Sequence, residues 1–183
     1  MREDNLLMLQ DTLDILEKGS YQLQGKTVSL KLSRVQMEEV QVYLPRDVER
    51  ICNAKDFIHV HVLGRCRYGC ENKDSFTLAR ENAKLFSFFL QRKDAKPVLV
   101  LNLANPIHPG GGVRRGARAQ EEDLCRKSSL LISLESMKAK VYYDYNRSLI
   151  TNMGADALMI HPQVEIIKDP GQLIGVFLPI LFL

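Results

Sequence analysis

Hydrophobic and polar positions near the N-terminus follow two different periods. Over residues 3–18 leucines recur at helical spacing, and Gly19 stands where a helix C-cap is expected. This pattern predicts an amphipathic helix that packs on the domain. Residues 20–34 alternate between apolar and polar side chains instead, which predicts a strand entered through a turn at Gly25-Lys26.

The middle of the chain combines strand and helix patterns. Residues 57–63, FIHVHVL, are typical of a strand. Residues 76–92 have helical spacing and follow two candidate caps, Asp74 and Ser75. Residues 97–104, PVLVLNLA, form an unbroken apolar run, which predicts a central strand covered on both faces.

The remaining segments continue the alternation of strands and helices. Residues 36–52 predict a short strand or loop followed by a helical turn, and residues 118–139 predict one helix with leucines on its buried side. Two short strands are expected at 157–160 and 164–167, around His161-Pro162. This succession is typical of an α/β or mixed three-layer domain.

Composition places the chain among ordinary globular proteins. It has 183 residues, of which 45% are hydrophobic and 26% charged, enough for one domain with a sizeable core. The net charge of +3 is too small to indicate a nucleic-acid-binding protein. Acidic residues interrupt the N-terminal apolar positions, unlike in a signal peptide, and the apolar run at 173–183 is too short to span a bilayer. We therefore expect a cytoplasmic protein without direct nucleic-acid or membrane contacts.

Cysteines and histidines offer a candidate metal site. Cys66 and Cys70 form a C-x3-C pair, and the sequence has no second cysteine pair of this kind. His59 and His61 lie on the same face of the predicted strand. A zinc site there is the alternative to a polar strand face and reduced cytosolic thiols. We favour the polar strand face with reduced cytosolic thiols, and we expect neither a metal nor a cofactor.

The segment between the predicted strand 97–104 and helix 118–139 carries the candidate chemistry. Three consecutive glycines, Gly110, Gly111 and Gly112, suit a place where the backbone approaches something closely or takes a positive φ. Ligands bind in α/β sheets where a strand ends and a helix starts, and backbone N–H groups there favour anions such as a diphosphate. The spacing matches neither a P-loop nor a dinucleotide fingerprint. A flexible surface loop is the alternative.

Three glycines, seven residues and Gln120-Glu121-Glu122 together resemble the signature of the poly(ADP-ribose) glycohydrolases. The surrounding LNLANPIHPGGGVRRGARAQEEDLCRKSSL is similar to the bacterial-type branch of that family, which is built on a macrodomain. The likeness extends more loosely to the N-terminal helix, to Tyr142-Tyr143-Asp144-Tyr145 and to HPQVEIIKD. It implies a macrodomain-like three-layer α/β/α fold with a mixed sheet, and metal-free chemistry.

The resemblance implies hydrolysis of the ribose–ribose O-glycosidic bonds of poly(ADP-ribose), with release of ADP-ribose. Such a cleavage passes through an oxocarbenium-like state, and the leaving oxygen needs a proton. By the family's pattern Glu122 is the catalytic acid and Glu121 holds ribose hydroxyls. The expected ligands are the polymer or ADP-ribose itself, and ADP-ribosylated proteins are further candidate partners. The substrate-binding residues that the resemblance implies are Asn105, Gly110, Gly111, Gly112, Val113 and Gln120, of which Gln120 also supports the loop.

The two glutamates pose a problem of geometry and of proton affinity. Adjacent residues on a helix do not face each other, so Glu121 and Glu122 are not expected to flank one bond from opposite sides. One carboxyl on the proton and one on the sugar is the arrangement left. A helix N-terminus lowers a carboxyl pKa, whereas a general acid needs a raised one, and the sequence leaves this open.

Two further alternatives stay open at this point. Arg114, Arg115 and Arg118 either contact phosphates or are solvated basic side chains. The intact Gln-Glu-Glu favours an enzyme, whereas a macrodomain-like module that holds ADP-ribose without turnover is the alternative function.

The resemblance ends near Pro170-Gly171. We therefore expect one glycohydrolase domain over residues 1–170, shortened at its C-terminus and with an incomplete sheet, followed by a divergent apolar tail over 171–183. The tail either folds back as a substitute strand or projects and causes self-association, because uncovered edges and apolar β-prone segments pair with other chains.

Overall fold

A computed structural model describes residues 2–54, 69–90, 98–150, 154–168 and 177–182, with side chains described except at 84–90 and 177–182. Its helices are α1 Arg2–Lys18, α2 Arg34–Met37, α3 Pro45–Asn53, α4 Ser75–Leu90, α5 Gln120–Lys127, α6 Leu130–Leu134 and α7 Met137–Ser148. Its strands are β1 Ser20–Leu23, β2 Lys26–Ser29, β3 Gln41–Tyr43, β4 Val100–Asn102, β5 Leu158–Glu165 and β6 Phe177–Phe182. A 3-10 turn, Val113–Arg115, lies between β4 and α5.

The N-terminal predictions are confirmed for the helix and wrong in part for the strand. α1 ends at Gly19, which has a φ of 69° and donates its N–H to the Ile15 carbonyl at 2.9 Å. Residues 20–34 contain an antiparallel hairpin, β1–β2, and not a single strand. Gln24 and Gly25 both have positive φ at its turn, which matches the twist of paired strands.

A four-stranded mixed sheet has the order β3-β5-β6-β4. β5 runs antiparallel to β3 and β6, and β6 runs parallel to β4. The apolar run at 173–183 thus supplies β6, a strand paired on both sides. Of the two alternatives for this run, pairing within the chain's own sheet is the one observed.

A β-bulge explains how a central strand accommodates Pro179. The pairing of β5 with β6 passes from His161↔Ile180 to Val164↔Leu178, so Pro162 and Gln163 together lie opposite Pro179. Proline has no N–H for the ladder and is tolerated in strands at such bulges. The two short strands expected around His161-Pro162 are therefore one irregular strand.

The single helix expected over 118–139 is wrong, because α5 and α6 are separated at Ser128-Ser129. Ser128 is extended and bridges Ile166, and the Ser129 N–H donates to the Glu165 carbonyl at 3.0 Å. These two serines pair with the end of β5, which stops the helix. The leucines expected on the buried side are all buried: Leu124, Leu130, Leu131 and Leu134.

The middle segments agree with the sequence except in how β4 is covered. α4 is capped by Asp74, whose Oδ1 accepts the N–H groups of Phe76 and Thr77 at 3.2 and 3.1 Å. Residues 36–52 contain β3 and the start of α3, as predicted, while α2 was not predicted. In β4, Val100 and Asn102 are buried but Leu101 is exposed, so coverage of both faces is wrong. The strand predicted at 57–63, with His59, His61 and nearby Cys66, lies outside the described residues.

The core is formed by side chains of the sheet and of the helices α1 and α4–α7. Its largest fully buried side chains include Phe76, Leu124, Tyr142, Tyr143 and Met159. Cys125 is also fully buried there. Within the part of the chain that the structure describes, no helix is long and apolar enough to cross a bilayer.

Candidate active site

The glycine loop, residues 103–119, connects the end of β4 to the start of α5. Gly110 and Gly111 have φ of 67° and 56°. The carbonyl groups of His108, Gly110 and Gly112 each accept the N–H group three residues further along, which forms a series of turns. Gly110 and Val113 are buried. The loop is therefore part of the packed structure, unlike the flexible surface loop that was the alternative.

Glu121 bonds to the backbone of the loop at two positions, Asn105 and Gly110. Its Oε2 accepts the Asn105 N–H at 2.9 Å, and its Oε1 accepts the Gly110 N–H at 3.1 Å. The side chain is only 2% exposed. Burial raises the pKa of Glu121 to about 7; the two N–H donors oppose this rise and the charge of Glu122 adds to it. Burial thus outweighs the helix N-terminus in setting the proton affinity of this group.

Glu122 contacts the same loop through one oxygen only. Its Oε1 accepts the Gly112 N–H at 2.8 Å. Its Oε2 is buried and has no hydrogen-bond partner among the described residues, although the residue is only 7% exposed. An unsatisfied buried acceptor costs about 1–3 kcal/mol, so such atoms are rare unless a proton or a ligand occupies them.

The glycines permit this arrangement because side chains would collide with the glutamates. A Cβ on Gly111 would lie 2.7 Å from Glu122 Oε1 and 3.0 Å from Glu121 Oε2. A Cβ on Gly110 would lie 2.7 Å from Leu131 Cδ1. The close backbone approach predicted from the three glycines is confirmed, and the groups approached are the two carboxylates.

The raised pKa belongs to Glu121, whereas the oxygen that accepts no N–H belongs to Glu122. The two carboxylates reach the same glycine, because a Cβ on Gly111 would contact one oxygen of each. Both oxygens of Glu121 accept backbone N–H groups. Oε2 of Glu122 is therefore the one oxygen of the two carboxylates that has no hydrogen bond among the described residues.

Asn105 and Gln120 serve the backbone of the loop. Asn105 Oδ1 accepts the N–H groups of Ile107 and His108 at 2.9 and 2.8 Å, which forms a local turn. Gln120 Nε2 donates to the Leu101 carbonyl at 2.8 Å and to Ser75 Oγ at 3.0 Å, and its Oε1 accepts the Leu103 N–H at 2.8 Å. Gln120 thus holds β4 and α4 together at the start of α5. The substrate-binding roles of both residues, and of Gly110–Val113, stay predictions.

Helix α1 contributes two side chains that sequence reasoning missed. Arg2 Nε donates to the Arg115 carbonyl at 2.8 Å, and Asn5 Nδ2 donates to the Gly116 carbonyl at 3.0 Å. Gly116 has a φ of 74°, and a Cβ there would lie 2.8 Å from Arg2 Cγ. These contacts join positions more than 100 residues apart, so no local pattern could reveal them.

Two tyrosines of α7 are buried in the core and feel the charge of Glu121. Tyr142 and Tyr143 are buried and meet edge to face, with ring centroids 5.3 Å apart. Burial raises the pKa of the Tyr143 hydroxyl, and the nearby Glu121 charge raises it further. The Tyr-Tyr-Asp-Tyr stretch gave a family likeness but no role, and the structure places its first two tyrosines in the hydrophobic core.

One arginine of the loop, Arg114, is paired with a carboxylate. Arg114 forms a two-pronged ion pair with Glu135, with its Nη2 2.8 Å from both carboxylate oxygens. Among the residues described, no group of three or more His, Cys, Asp or Glu side chains could hold a metal ion.

Comparisons with known proteins give a family and several structural neighbours. The family model of the microbial-type PARG catalytic domain matches residues 9–169. A poly(ADP-ribose) glycohydrolase from Thermomonospora curvata, solved with the inhibitor ADP-HPD, is 24% identical with a TM-score of 0.79, covering 98% of this chain and 62% of its own. The Deinococcus radiodurans enzyme in complex with ADP-ribose is 32% identical with a TM-score of 0.67, covering 85% and 59%.

This chain therefore spans about three fifths of the length of these two structures. Comparison with curated proteins gave no significant match. The expected α/β macrodomain-like fold is confirmed by the structural likeness.

Proposed function

Because the chain belongs to the family of microbial-type PARG catalytic domains, we propose that it hydrolyses the ribose–ribose O-glycosidic bonds of poly(ADP-ribose) and releases ADP-ribose. The observation that carries the proposal is the Glu122 carboxylate at the glycine loop, whose Oε1 accepts the Gly112 N–H while its buried Oε2 has no hydrogen-bond partner among the described residues. Relatives of this chain have been solved with ADP-ribose and with ADP-HPD. A sugar ligand at the glycine loop would bring a glycosidic oxygen to that atom.

Glu122 supplies the proton that the leaving ribose oxygen needs. Its Oε1 is held by the Gly112 N–H, so Oε2 carries the proton and faces the substrate. As the glycosidic bond breaks, the proton passes to the leaving oxygen and Oε2 becomes anionic. A water molecule then attacks the oxocarbenium-like carbon and returns a proton to Oε2, which restores the acid.

Glu121 holds the sugar and the loop at the same time. Each of its oxygens accepts one backbone N–H and keeps a free lone pair for a ribose hydroxyl. A hydroxyl bound there would be fixed relative to the glycine loop, because the same carboxylate holds Asn105 and Gly110. This positioning serves the cleavage by keeping the scissile oxygen next to Glu122.

The test compares Glu122→Gln with a neighbouring charge-matched control. Asp123 lies in the same helical turn but bonds to Lys127 at 2.7 Å, so Asp123→Asn removes one negative charge away from the loop. We expect Glu122→Gln to lower polymer turnover by about 10²–10⁴-fold with ADP-ribose binding retained. Asp123→Asn should change turnover by no more than a few-fold.

Three outcomes separate the alternatives. Near-equal turnover in Glu122→Gln and the unaltered chain would contradict the role of Glu122. ADP-ribose binding without turnover by the unaltered chain would favour a binding module. Neither binding nor turnover would contradict the proposed function altogether.

We also propose that the protein acts in the cytoplasm on ADP-ribosylated proteins that carry the polymer. Cys52 and Cys70 have free, exposed thiols, which a reducing compartment preserves. Fractionation of cells that express the tagged chain tests the location. Release of ADP-ribose from a polymer-modified protein tests the substrate.

A further inference from the structure

Two neighbouring arginines of the glycine loop, Arg114 and Arg115, differ in their ion pairs. Arg114 is engaged with Glu135. Arg115 is exposed, and no carboxylate of the described residues lies within ion-pair distance of its guanidinium. We infer that Arg115 binds a phosphate of the substrate's diphosphate at the rim of the glycine loop, an inference that rests on the proposed function.

The Arg115 side chain folds back over the glycines. Its Nη2 lies 3.7 Å from the position that a Cβ on Gly112 would take, and Glu122 Oε1 lies 3.5 Å from the same point. The N–H groups of Arg115 and Ala117 both donate to the Gly112 carbonyl, at 2.9 and 3.1 Å, which turns the chain in this direction. A guanidinium therefore lies beside the backbone that the proposed ligand must touch.

The base of Arg115 is held from outside the loop. Its own carbonyl accepts from Arg2 Nε at 2.8 Å, and the next carbonyl, of Gly116, accepts from Asn5 Nδ2 at 3.0 Å. A cation whose backbone is fixed in this way loses less conformational freedom when it binds an anion. These bonds also show that α1 sets the position of Arg115.

The acidic charge of the site favours a cation where a diphosphate would approach. Glu121 and Glu122 together place acidic groups at the loop, and they repel a diphosphate that approaches them. A guanidinium at the rim offsets this repulsion, and its planar donors match phosphate oxygens. Arg115 is the arginine of the pair Arg114–Arg115 that is free to do so, because Arg114 already binds a carboxylate.

The experiment uses Arg115→Gln and Arg115→Lys, with Arg114→Gln as the control that removes the same charge one residue away. Calorimetric titration with ADP-ribose reports the diphosphate of the bound unit, and KM for the polymer also reports a neighbouring unit. We expect Arg115→Gln to raise Kd or KM by about tenfold or more, and Arg115→Lys to restore part of the loss. Arg114→Gln should change both by less than about twofold.

The outcomes keep this inference distinct from the proposed function. A rise in Kd for ADP-ribose assigns Arg115 to the bound unit, and a rise in polymer KM alone assigns it to the next unit; either supports the inference. Equal values in Arg115→Gln and Arg114→Gln overturn it. A lower kcat with a shifted pH profile and unchanged Kd also overturns it, because Arg115 would then act on Glu122. Failure of the unaltered chain to bind ADP-ribose, measured first, overturns the proposed function and this inference with it.

Discussion

The glycine loop and strand β6 are held in place by different kinds of contact. The loop is held by side chains from the helix that follows it and from the distant N-terminal helix, with Glu121, Glu122, Arg2 and Asn5 all bonded to its backbone. β6 is held by backbone ladders to β4 and β5. Single side-chain substitutions should therefore disturb the loop, whereas only a change to the backbone should disturb β6.

The two regions also differ in charge. The loop is fixed by two buried carboxyls, which must be desolvated to make their bonds. β6 comes from an uncharged segment, FLPILF, and needs no such desolvation. The position of the loop should consequently depend on pH, whereas β6 itself carries no group that titrates.

The largest expected effect comes from Leu181→Pro. Leu181 pairs with Ile160 of β5 and with Leu101 of β4, and proline cannot donate to either ladder. We expect a loss of about 3 kcal/mol or more in the free energy of unfolding, a large part of the usual 5–15 kcal/mol. Urea unfolding monitored by circular dichroism measures it.

Pro179→Ala is the matched control for that variant. It changes proline at the bulge, where the ladder is already interrupted, so its effect should stay within about 1 kcal/mol. Equal effects of the two variants would mean that residues 177–182 do not form a central strand. Sedimentation of both proteins checks the self-association that a projecting segment would cause.

Gly111→Ala tests the other side of the comparison. Its Cβ would collide with Glu122 Oε1 and Glu121 Oε2 in addition to the strain of a φ of 56°. Gly25→Ala is the control, because Gly25 has a φ of 76° but nothing within 4 Å of its Cβ position. We expect both variants to lose about 1–2 kcal/mol through strain, and Gly111→Ala to lose about 1–3 kcal/mol more through overpacking.

Thermal unfolding and turnover give separate measures of this difference. Turnover should fall in Gly111→Ala, because the carboxylates must move, and stay unchanged in Gly25→Ala. Equal losses of stability would show that the glycines are needed for backbone conformation alone.

Local patterns predicted the parts of the molecule that depend on local contacts. The leucine stripe gave α1, the Asp74 cap gave α4, and the glycine triplet gave a close backbone approach. The motif also brought Glu121 and Glu122 to the same loop, as the geometry confirms. Glu121 accepts the N–H groups of Asn105 and Gly110, whereas Glu122 accepts that of Gly112. The partners differ because adjacent side chains on a helix point in different directions.

Contacts between distant segments were beyond such patterns. The helical period continues through Ser128-Ser129, and only Glu165 and Ile166, far along the chain, explain why the helix stops there. The central position of β6 depends on which strands it meets, and the hold of α1 on Gly116 depends on tertiary packing. Hydrophobic periodicity carries no information about these partners.

The effect expected of Glu121 is a slope with pH, which is smaller per pH unit than the loss expected for Leu181→Pro. Burial raises its pKa from 4.5 to about 7, so between these values the folded protein binds more protons than the unfolded chain. Stability from this group is therefore greatest at low pH and falls as the pH rises towards 7, by at most about 1.4 kcal/mol per pH unit. Glu121→Gln removes this dependence, so its stability relative to the unaltered chain should rise with pH over that window and level off above it.

Measuring the difference between the two proteins is necessary because His161 acts in the opposite direction. Burial lowers the pKa of His161 to about 3, so the unfolded chain gains a proton first and stability is lost as the pH falls below about 6.5. Both proteins contain His161, and its contribution cancels in the difference. A flat difference between pH 4.5 and 7 would mean that Glu121 is not desolvated by the loop. β6 itself contains no titratable residue, although it pairs with His161 and Glu165 of β5. The loss caused by Leu181→Pro should therefore change less over the same window than the difference for Glu121→Gln does, and an equal dependence on pH would remove the contrast between the two regions.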